Sequence, residues 1–552
     1  TLLALIFVFR GFRAALLPLS VAVFAVLGTF VFLRVIAEGT TVSVFALNLT
    51  TGLGLGLGID YCLLMLARYR EELEQGQRHQ RALERTVQTA GRTVIFSGAT
   101  VASSLLALLV FPAPYLRSFA FAGVGVVAIA CGAAVIVLPA LLATLGDRLS
   151  TSSVEVTESF WGVQARRVLK RPVAYVVGAG AILVLVGLPF FRFDAGRIDD
   201  RVLPEDAPAR EAATLVRDVL DFGELNPINV VALDAPASDT ENSAALRSLI
   251  LELPNVERVV DAGGFSTPGL PPLPGSSFNE QFENGTGQWF RVTASVAPDT
   301  PEAEALVESL RAIDNPFGTE LLVTGTTANS MDTVDAVLDR LPLALVIIAI
   351  ITLIVLFLMT GSILVPLKAV VLNLLSLTAT FGALVWIFQD GNLADALGFT
   401  ATGSVDIFTP ILMFCIAFGL SMDYEVFLLS RIKEEYDLTG DNDQAIVAGI
   451  GSTGRVVTAA AVLLAIVFTA ISTSEVTLVK MFGFGLMIAV LVDAFLVRAT
   501  LTPALMKLAG RANWWAPEPL SRFHLRYGLW ENEPIHLPEP DTVPEPTQTP
   551  EV

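Results

Sequence analysis

Cysteine and histidine are scarce in this chain, three of each among 552 residues, and charge is thin. Cys62, Cys131 and Cys415 all fall in apolar runs, so they read as small buried hydrophobes and imply no disulfide framework. His79, His524 and His536 stand apart among polar neighbours, without metal-ligand spacing, and no metal site is expected. A phosphate-cradling glycine loop, a nucleophile elbow and a zinc signature are also missing. No catalytic constellation emerges, so the chain does not read as an enzyme and no cofactor is expected. Charged residues make up 16% of the chain, where soluble domains average about 25%. The balance of that charge is −19, which argues against nucleic acid as a partner.

What is present instead is apolar length. Hydrophobic residues are 53% of the chain, and mean hydropathy is +0.65. They lie in long runs rather than periodic stripes, which reads as a polytopic membrane protein. Spans are expected at 15–37, 43–66, 93–111, 117–145, 172–191, 341–360, 366–388, 407–430, 454–473 and 479–508, with a partial one at 1–9. Runs of this length are helices, because barrel strands are about 9–11 residues long and alternate. The run at 1–9 is shorter than the ~20 residues a span needs, so an N-terminally truncated chain is expected.

Arginine and lysine collect in alternate short loops, including Arg68, Arg70, Arg166, Arg167, Arg431 and Lys433, which assigns those loops to the cytoplasm. Residues 192–340 form one long loop on the other side and hold 10 basic and 26 acidic residues, most of the chain's net negative charge. Its acidity reads as a solvated surface. "INVVALD", "VERVVDA", "WFRVTASVA" and "ELLVTGT" read as strands, and "TENSAALRSLILEL" and "PEAEALVESLRAI" as helices. The order β-α-β-β-α-β predicts an α+β, ferredoxin-like domain. The Gly/Pro-rich stretch between its halves, 263–287, is expected to be a flexible loop. Residues 511–552 are Pro- and Glu-rich and are expected to be a disordered cytoplasmic tail.

Two spans carry a carboxylate in their apolar core. "GLGLGLGIDYCLLMLARYREEL" holds Asp60 and Tyr61, and "GLSMDYEVFLLSRIKEEY" holds Asp423 and Tyr424. Each aspartate precedes a basic residue, Arg68 or Arg431, by eight positions, about 12 Å of helix. With the basic residue at the interface, the carboxylate sits near mid-membrane, where it costs at least roughly 2.5–3.5 kcal/mol. Such a residue faces protein or water and usually marks an ion pathway. The two aspartates are 363 residues apart, as are Arg92 and Arg455, and Arg117 and Lys480. A shared offset predicts a parallel internal repeat about an axis normal to the membrane. The first half lacks counterparts of the helix at 172–191 and of the outer domain, so a complete protein should have twelve spans and two outer domains.

Gly52, Gly56 and Asp60 share one helix face, and Gly54 and Gly58 another, so these small residues are candidates for close helix packing. The pseudo-twofold predicts that the helix at 43–66 packs on that at 407–430 and brings Asp60 to Asp423. Two nearby carboxylates in a low dielectric cannot easily both ionise and titrate as a unit. The bland alternative is a fixed polar staple between helices. Ser97 is an auxiliary candidate, either donating to the pair or bonding its own helix; its repeat counterpart is Ala460. Asp493 is either a third proton site or the partner of Arg498.

These stretches, with "GRTVIFSGATV" and "LVDAFLVRATLTPALM", resemble the resistance–nodulation–division superfamily in its MMPL branch. The resemblance covers nearly all the membrane part. It implies a division into first-repeat helices (1–150), a cytoplasmic linker (151–171), a span (172–191), a porter-like domain (192–340), second-repeat helices (341–510) and the tail. It implies crossed hydrogen bonds, Asp60 to Tyr424 and Tyr61 to Asp423. It further implies proton-driven export of a lipid or amphiphile from a bacterial plasma membrane, with protons as coupling ion. Two other readings stay open: a helper of protein translocation, and a regulator or scaffold that moves nothing. Accessory partners and homo-oligomer state are not legible.

Overall fold

The computed structural model describes residues 12–145, 160–196, 199–219, 222–275, 277–298 and 300–528. The partial span at 1–9 lies outside them. Among the described residues ten helices are long and apolar enough to cross a membrane: α1 (Ala15–Ile36), α2 (Phe45–Glu74), α3 (His79–Val110), α4 (Pro114–Thr144), α5 (Pro172–Arg192), α6 (Thr326–Thr360), α7 (Leu364–Gln389), α8 (Phe408–Thr439), α9 (Asn442–Ser472) and α10 (Thr477–Trp514). The chain is a multi-pass helical membrane protein. Lipid offers no partner for backbone N–H and C=O groups, so each span closes its own hydrogen bonds.

Burial separates these helices by role. The apolar windows of α2 and α8 are each 89% buried, whereas those of α5 and α6 are 17% and 22% buried. The two Asp-Tyr helices therefore form the centre, and α5 and α6 stand at the edge with exposed Val177, Leu185, Val346 and Ile350.

Several helices outrun their apolar runs. α9 begins at Asn442 rather than near 454, because Asp441 caps it by accepting from the N–H groups of Asp443 (2.8 Å) and Gln444 (3.2 Å). α6 starts at Thr326, inside the soluble domain, and is interrupted by a turn at Asp339–Arg340, ahead of Pro342, before its membrane part, Leu341–Thr360.

The soluble domain follows α5. A short strand, β1 (Ala195–Gly196), pairs in parallel with β8 (Val405–Asp406), at the start of α8. The main sheet contains β2 (Ile228–Ala232), β3 (Val256–Asp261), β4 (Gly264–Ser266), β5 (Leu273–Pro274), β6 (Gln288–Ala294) and β7 (Leu321–Thr324), in the order β5-β4-β3-β6-β2-β7, all antiparallel. Burial alternates along β2, as a sheet with one covered face requires. Helices Thr240–Leu251 and Pro301–Arg311 contribute Leu246, Ile250, Leu306 and Leu310 to a core with Val230, Phe290 and Val292. Arg247 clamps the buried Asp261 with two hydrogen bonds, 2.7 and 2.9 Å, fixing the first helix to β3.

Three expectations need correcting here. The stretch 263–287 is not merely a loop: it forms the β4–β5 hairpin and the turn Ser277–Phe282, because Phe282 buries against Trp289 and Asn279 donates to the Asp261 carbonyl. Gly264 is required there; its φ is +136°, and a Cβ would lie 2.1 Å from the Leu273 carbonyl. Of the linker 151–171, residues Phe160–Lys170 are a helix packed on α9. The tail is ordered as far as residue 528: Trp514 stacks on Tyr436 (4.8 Å between ring centroids), Asn513 is buried, and helix Glu518–Tyr527 carries a buried His524. Its aromatic residues supply the burial that its Pro and Glu content hid. The rest of the tail lies outside the described residues.

The glycine faces of α2 do not meet α8. A Cβ on Gly58 would stand 2.7 Å from the Ala22 Cα, and on Gly54 2.7 Å from Val26, so that face belongs to α1. Gly52 and Gly56 face Ile471 and Leu464 of α9. On α8, Gly419 faces Val101 and Ser104 of α3. Close packing therefore runs crosswise, α2 on α9 and α8 on α3. α2 and α8 reach each other through long polar side chains instead.

Candidate functional site

One of those reaches is mid-span. Tyr424 of α8 donates its hydroxyl to Asp60 Oδ2 of α2. Asp60, Tyr61, Asp423 and Tyr424 are all buried, none more than 4% exposed. Adjacent residues on a helix point about 100° apart, which lets Tyr424 meet Asp60 while Asp423 turns toward α3. There Ser97 donates to Asp423 Oδ1. The implied second crossed pair, Tyr61 and Asp423, lies side by side without reaching hydrogen-bond geometry. The Tyr61 hydroxyl lies within electrostatic reach of Asp423, but it has no hydrogen-bond partner among the described residues and sits beside Gly98. Ser97 fills the place expected of Tyr61. Asp60 Oδ1 also lacks a partner.

Asp493 lies in a second cluster. It pairs with Arg498, and Ser421 Oγ donates to Asp493 Oδ1 at 2.8 Å. The partners are five residues apart. Residues Asp493–Leu501 form a π-helical stretch, whose wider i→i+5 turn brings such positions together. Arg498 also donates to the Ser421 carbonyl, and its guanidinium lies 4.8 Å from the centre of the Tyr424 ring, as a cation–π contact. Glu425 Oε2 is 4.0 Å from Arg498 Nε, and Lys368 of α7 lies within electrostatic reach of Glu425. Through Tyr424 and Arg498 the two clusters join.

The joined site holds four acids, Asp60, Asp423, Glu425 and Asp493, against two bases, Lys368 and Arg498. Bases cannot balance the acids, so full ionisation would leave uncompensated charge in the interior. Such a set can hold a proton in more than one place. Sequence reasoning missed Glu425 and Lys368. Their signal was the one used for Asp60: a charged residue inside an apolar run, here "ILVPLKAVVLNLL" and the residue after Tyr424.

Below the acids, toward the bundle end away from the soluble domain, a second polar reach joins α2 and α8. Arg431 pairs with Glu71 (3.0 Å) and Glu434 (2.8 Å), and Arg68 pairs with Glu71 (3.1 Å) and the buried Glu72 (2.8 Å). Among the described residues no cluster of three or more His, Cys, Asp or Glu has metal-holding geometry.

A cavity of ≈ 340 Å³ lies between α5, α6, α7 and α8 at the domain-facing end. Phe190, Leu341, Phe381 and Phe414 are among its largely apolar walls.

A family model described as the MMPL family matches residues 1–175 and 201–534. The chain is 40% identical over 542 residues to a membrane protein of Streptomyces coelicolor, covering 98% of this chain and 73% of that one. It is 33% identical over 576 residues to the trehalose monomycolate exporter MmpL3 of Mycobacterium tuberculosis, covering 97% and 59%. It is 34% identical over 537 residues to the heme uptake protein MmpL11 of that species, covering 94% and 54%. The chain thus spans little more than half the length of these mycobacterial relatives.

Proposed function

The chain belongs to the MMPL family, and from that premise we propose that it drives export of a lipid or amphiphile with the proton-motive force. The observation that carries this reading is the buried contact between Tyr424 and Asp60, which links two distant Asp-Tyr motifs in the most buried helices of the bundle. In this reading Asp60, Tyr424, Asp423 and Ser97 form the relay, and Asp493 with Arg498 sets the electrostatics beside it. Tyr61 serves once the helices shift. Protons are the coupling ion and no other cofactor takes part. Proton uptake changes the net charge between α2 and α8, and so the separation the pair prefers.

The finer architecture belongs to the same reading. The four longer strands lie in the order β7-β2-β6-β3, with a helix after β2 and another after β6, which supports a ferredoxin-like domain. Gly56 meets Leu464 as Gly419 meets Val101, each pair 363 residues from its counterpart, which supports a parallel repeat. Basic short loops favour a cytoplasmic face opposite the domain. The ≈ 340 Å³ apolar cavity suits a lipid tail. The named roles of the mycobacterial relatives differ, export in one and heme uptake in another, so family membership does not fix the cargo.

The test uses the full-length protein in proteoliposomes. Movement of a fluorescent lipid or amphiphile under an imposed pH gradient is compared between wild type and Asp60→Asn. Gradient-driven movement lost in the variant is the expected result. Undiminished movement in the variant would make the aspartates a fixed polar staple.

A further inference from the structure

Arg498 is 3% exposed, and its Nε and Nη1 have no hydrogen-bond partner among the described residues. Guanidinium N–H groups are costly to bury unpaired. Arg498 lines a small cavity of ≈ 20 Å³, bounded also by Leu428, Thr458 and Ala494. That is enough room for one water, which needs roughly 10–15 Å³. The walls come from α8, α9 and α10, with one contribution from outside the spans: Trp161, on the helix Phe160–Lys170 that connects the two halves of the bundle.

Trp161 is seated rather than draped. Gly454 of α9 makes room for it, since a Cβ at Gly454 would lie 2.4 Å from the indole Cγ. Phe495 of α10 packs on its other side, with ring centroids 6.1 Å apart. Trp161 is itself partly buried, so one side of the indole lines the cavity, which is only partly enclosed, and the other faces outward.

Among the described residues the first half shows no such arrangement. Val135 stands 363 residues before Arg498, and a Cβ on Gly91, the counterpart of Gly454, would make only ordinary contacts. The indole is found where the buried charge is.

We propose that Trp161 is a removable plug over a one-water site on Arg498, closing the buried charge network from the face opposite the soluble domain. The proposal rests on the proton-relay reading for its purpose. Movement of one half against the other shifts the connector helix and lifts the indole from Gly454. A water then bridges Arg498 and Asp493 to the aqueous side, and a proton can leave. In the resting arrangement the same indole prevents a leak.

Two measurements on the full-length protein separate the plug from the relay. Thr458→Cys places a thiol in the cavity wall, and the parent chain gives the background from Cys62, Cys131 and Cys415. A charged, membrane-impermeant thiosulfonate is applied from the connector side. Adding Trp161→Ala should raise the labelling rate about tenfold, and Trp161→Phe should not. If Trp161→Ala is not recovered as monodisperse protein, Trp161→Leu takes its place. Unchanged labelling in the opened variant overturns the plug. The second measurement is passive proton flux into proteoliposomes under a potassium diffusion potential, without substrate. Faster labelling with faster proton entry is the expected result. Faster labelling with no added proton entry keeps the plug and counts against the relay.

Discussion

Asp60 and Asp423 carry the same motif yet hold different partners. Asp60 accepts from a tyrosine of the opposite half, whereas Asp423 accepts from Ser97. A hydrogen bond to a charged group is worth about 1.5–3 kcal/mol. If Ser97 tunes the pair rather than carrying the proton itself, Ser97→Ala should slow gradient-driven transport about tenfold, where Asp60→Asn abolishes it. The liposome assay reads both, and a full-speed Ser97→Ala variant would show that its hydroxyl is idle. Asp60 was legible because an acid inside an apolar run must have a reason to be there, whereas its bond to Tyr424 came only from the family resemblance. The Ser97 bond was not, because a helix serine more often bonds its own backbone, as Ser104 partly does here through the Val101 carbonyl. Glu425 was hidden by standing next to two residues that already had a role.

At the scale of helices, glycine decides which neighbours come close. Gly58 faces backbone: Ala22 Cα and N would stand 2.7 and 3.2 Å from an added Cβ. Gly52 faces only the Cδ1 tip of Ile471 at 3.0 Å, a side-chain end that can turn aside. Gly58→Ala should therefore cost about 1–3 kcal/mol of stability. Gly52→Ala should be near neutral, since alanine in a helix regains up to about 1 kcal/mol over glycine. Thermal unfolding in detergent checks the order, and equal losses would mean that α1 yields as readily as Ile471. The sequence spacing identified two glycine faces correctly, but the pseudo-twofold, which set α2 against α8, did not foresee that α1 and α9 meet those faces. Spacing reports which residues share a face; it carries no information on which helix arrives there. Apolar length, similarly, located the spans, including Leu341–Thr360 of α6, but not the start of α9, where a polar turn capped by Asp441 continues the helix beyond the apolar run.

For the whole molecule, the end opposite the domain is where the halves and the tail converge. His524 of the tail helix packs beside Gly361, the left-handed residue that ends α6, and beside Phe357 (6.0 Å between ring centroids). Burial, and then Lys433 nearby, hold its pKa below the usual histidine value. A depressed histidine contributes stability that is complete above its unfolded pKa of about 6.5 and is lost as pH falls toward its folded value. Hydrogen exchange across Glu518–Tyr527 should accelerate as pH falls below about 6.5, relative to α6, and His524→Phe should flatten that response. A helix equally protected at pH 5 and pH 7.5 would refute the docking role of the neutral imidazole. The other end of α6 has a different consequence. Its membrane part, the 20 residues Leu341–Thr360, forms a rod about 30 Å long, rooted beside that histidine and joined by the turn at Asp339–Arg340 to Thr326–Leu338 in the soluble domain. A rod amplifies: a pivot of about 5° near Gly361 sweeps its far tip, at Leu341, through about 2–3 Å. Shifts too small to break the packing of α2, α3, α8 and α9 can thus reach the soluble domain enlarged, through the turn that joins it to the rod.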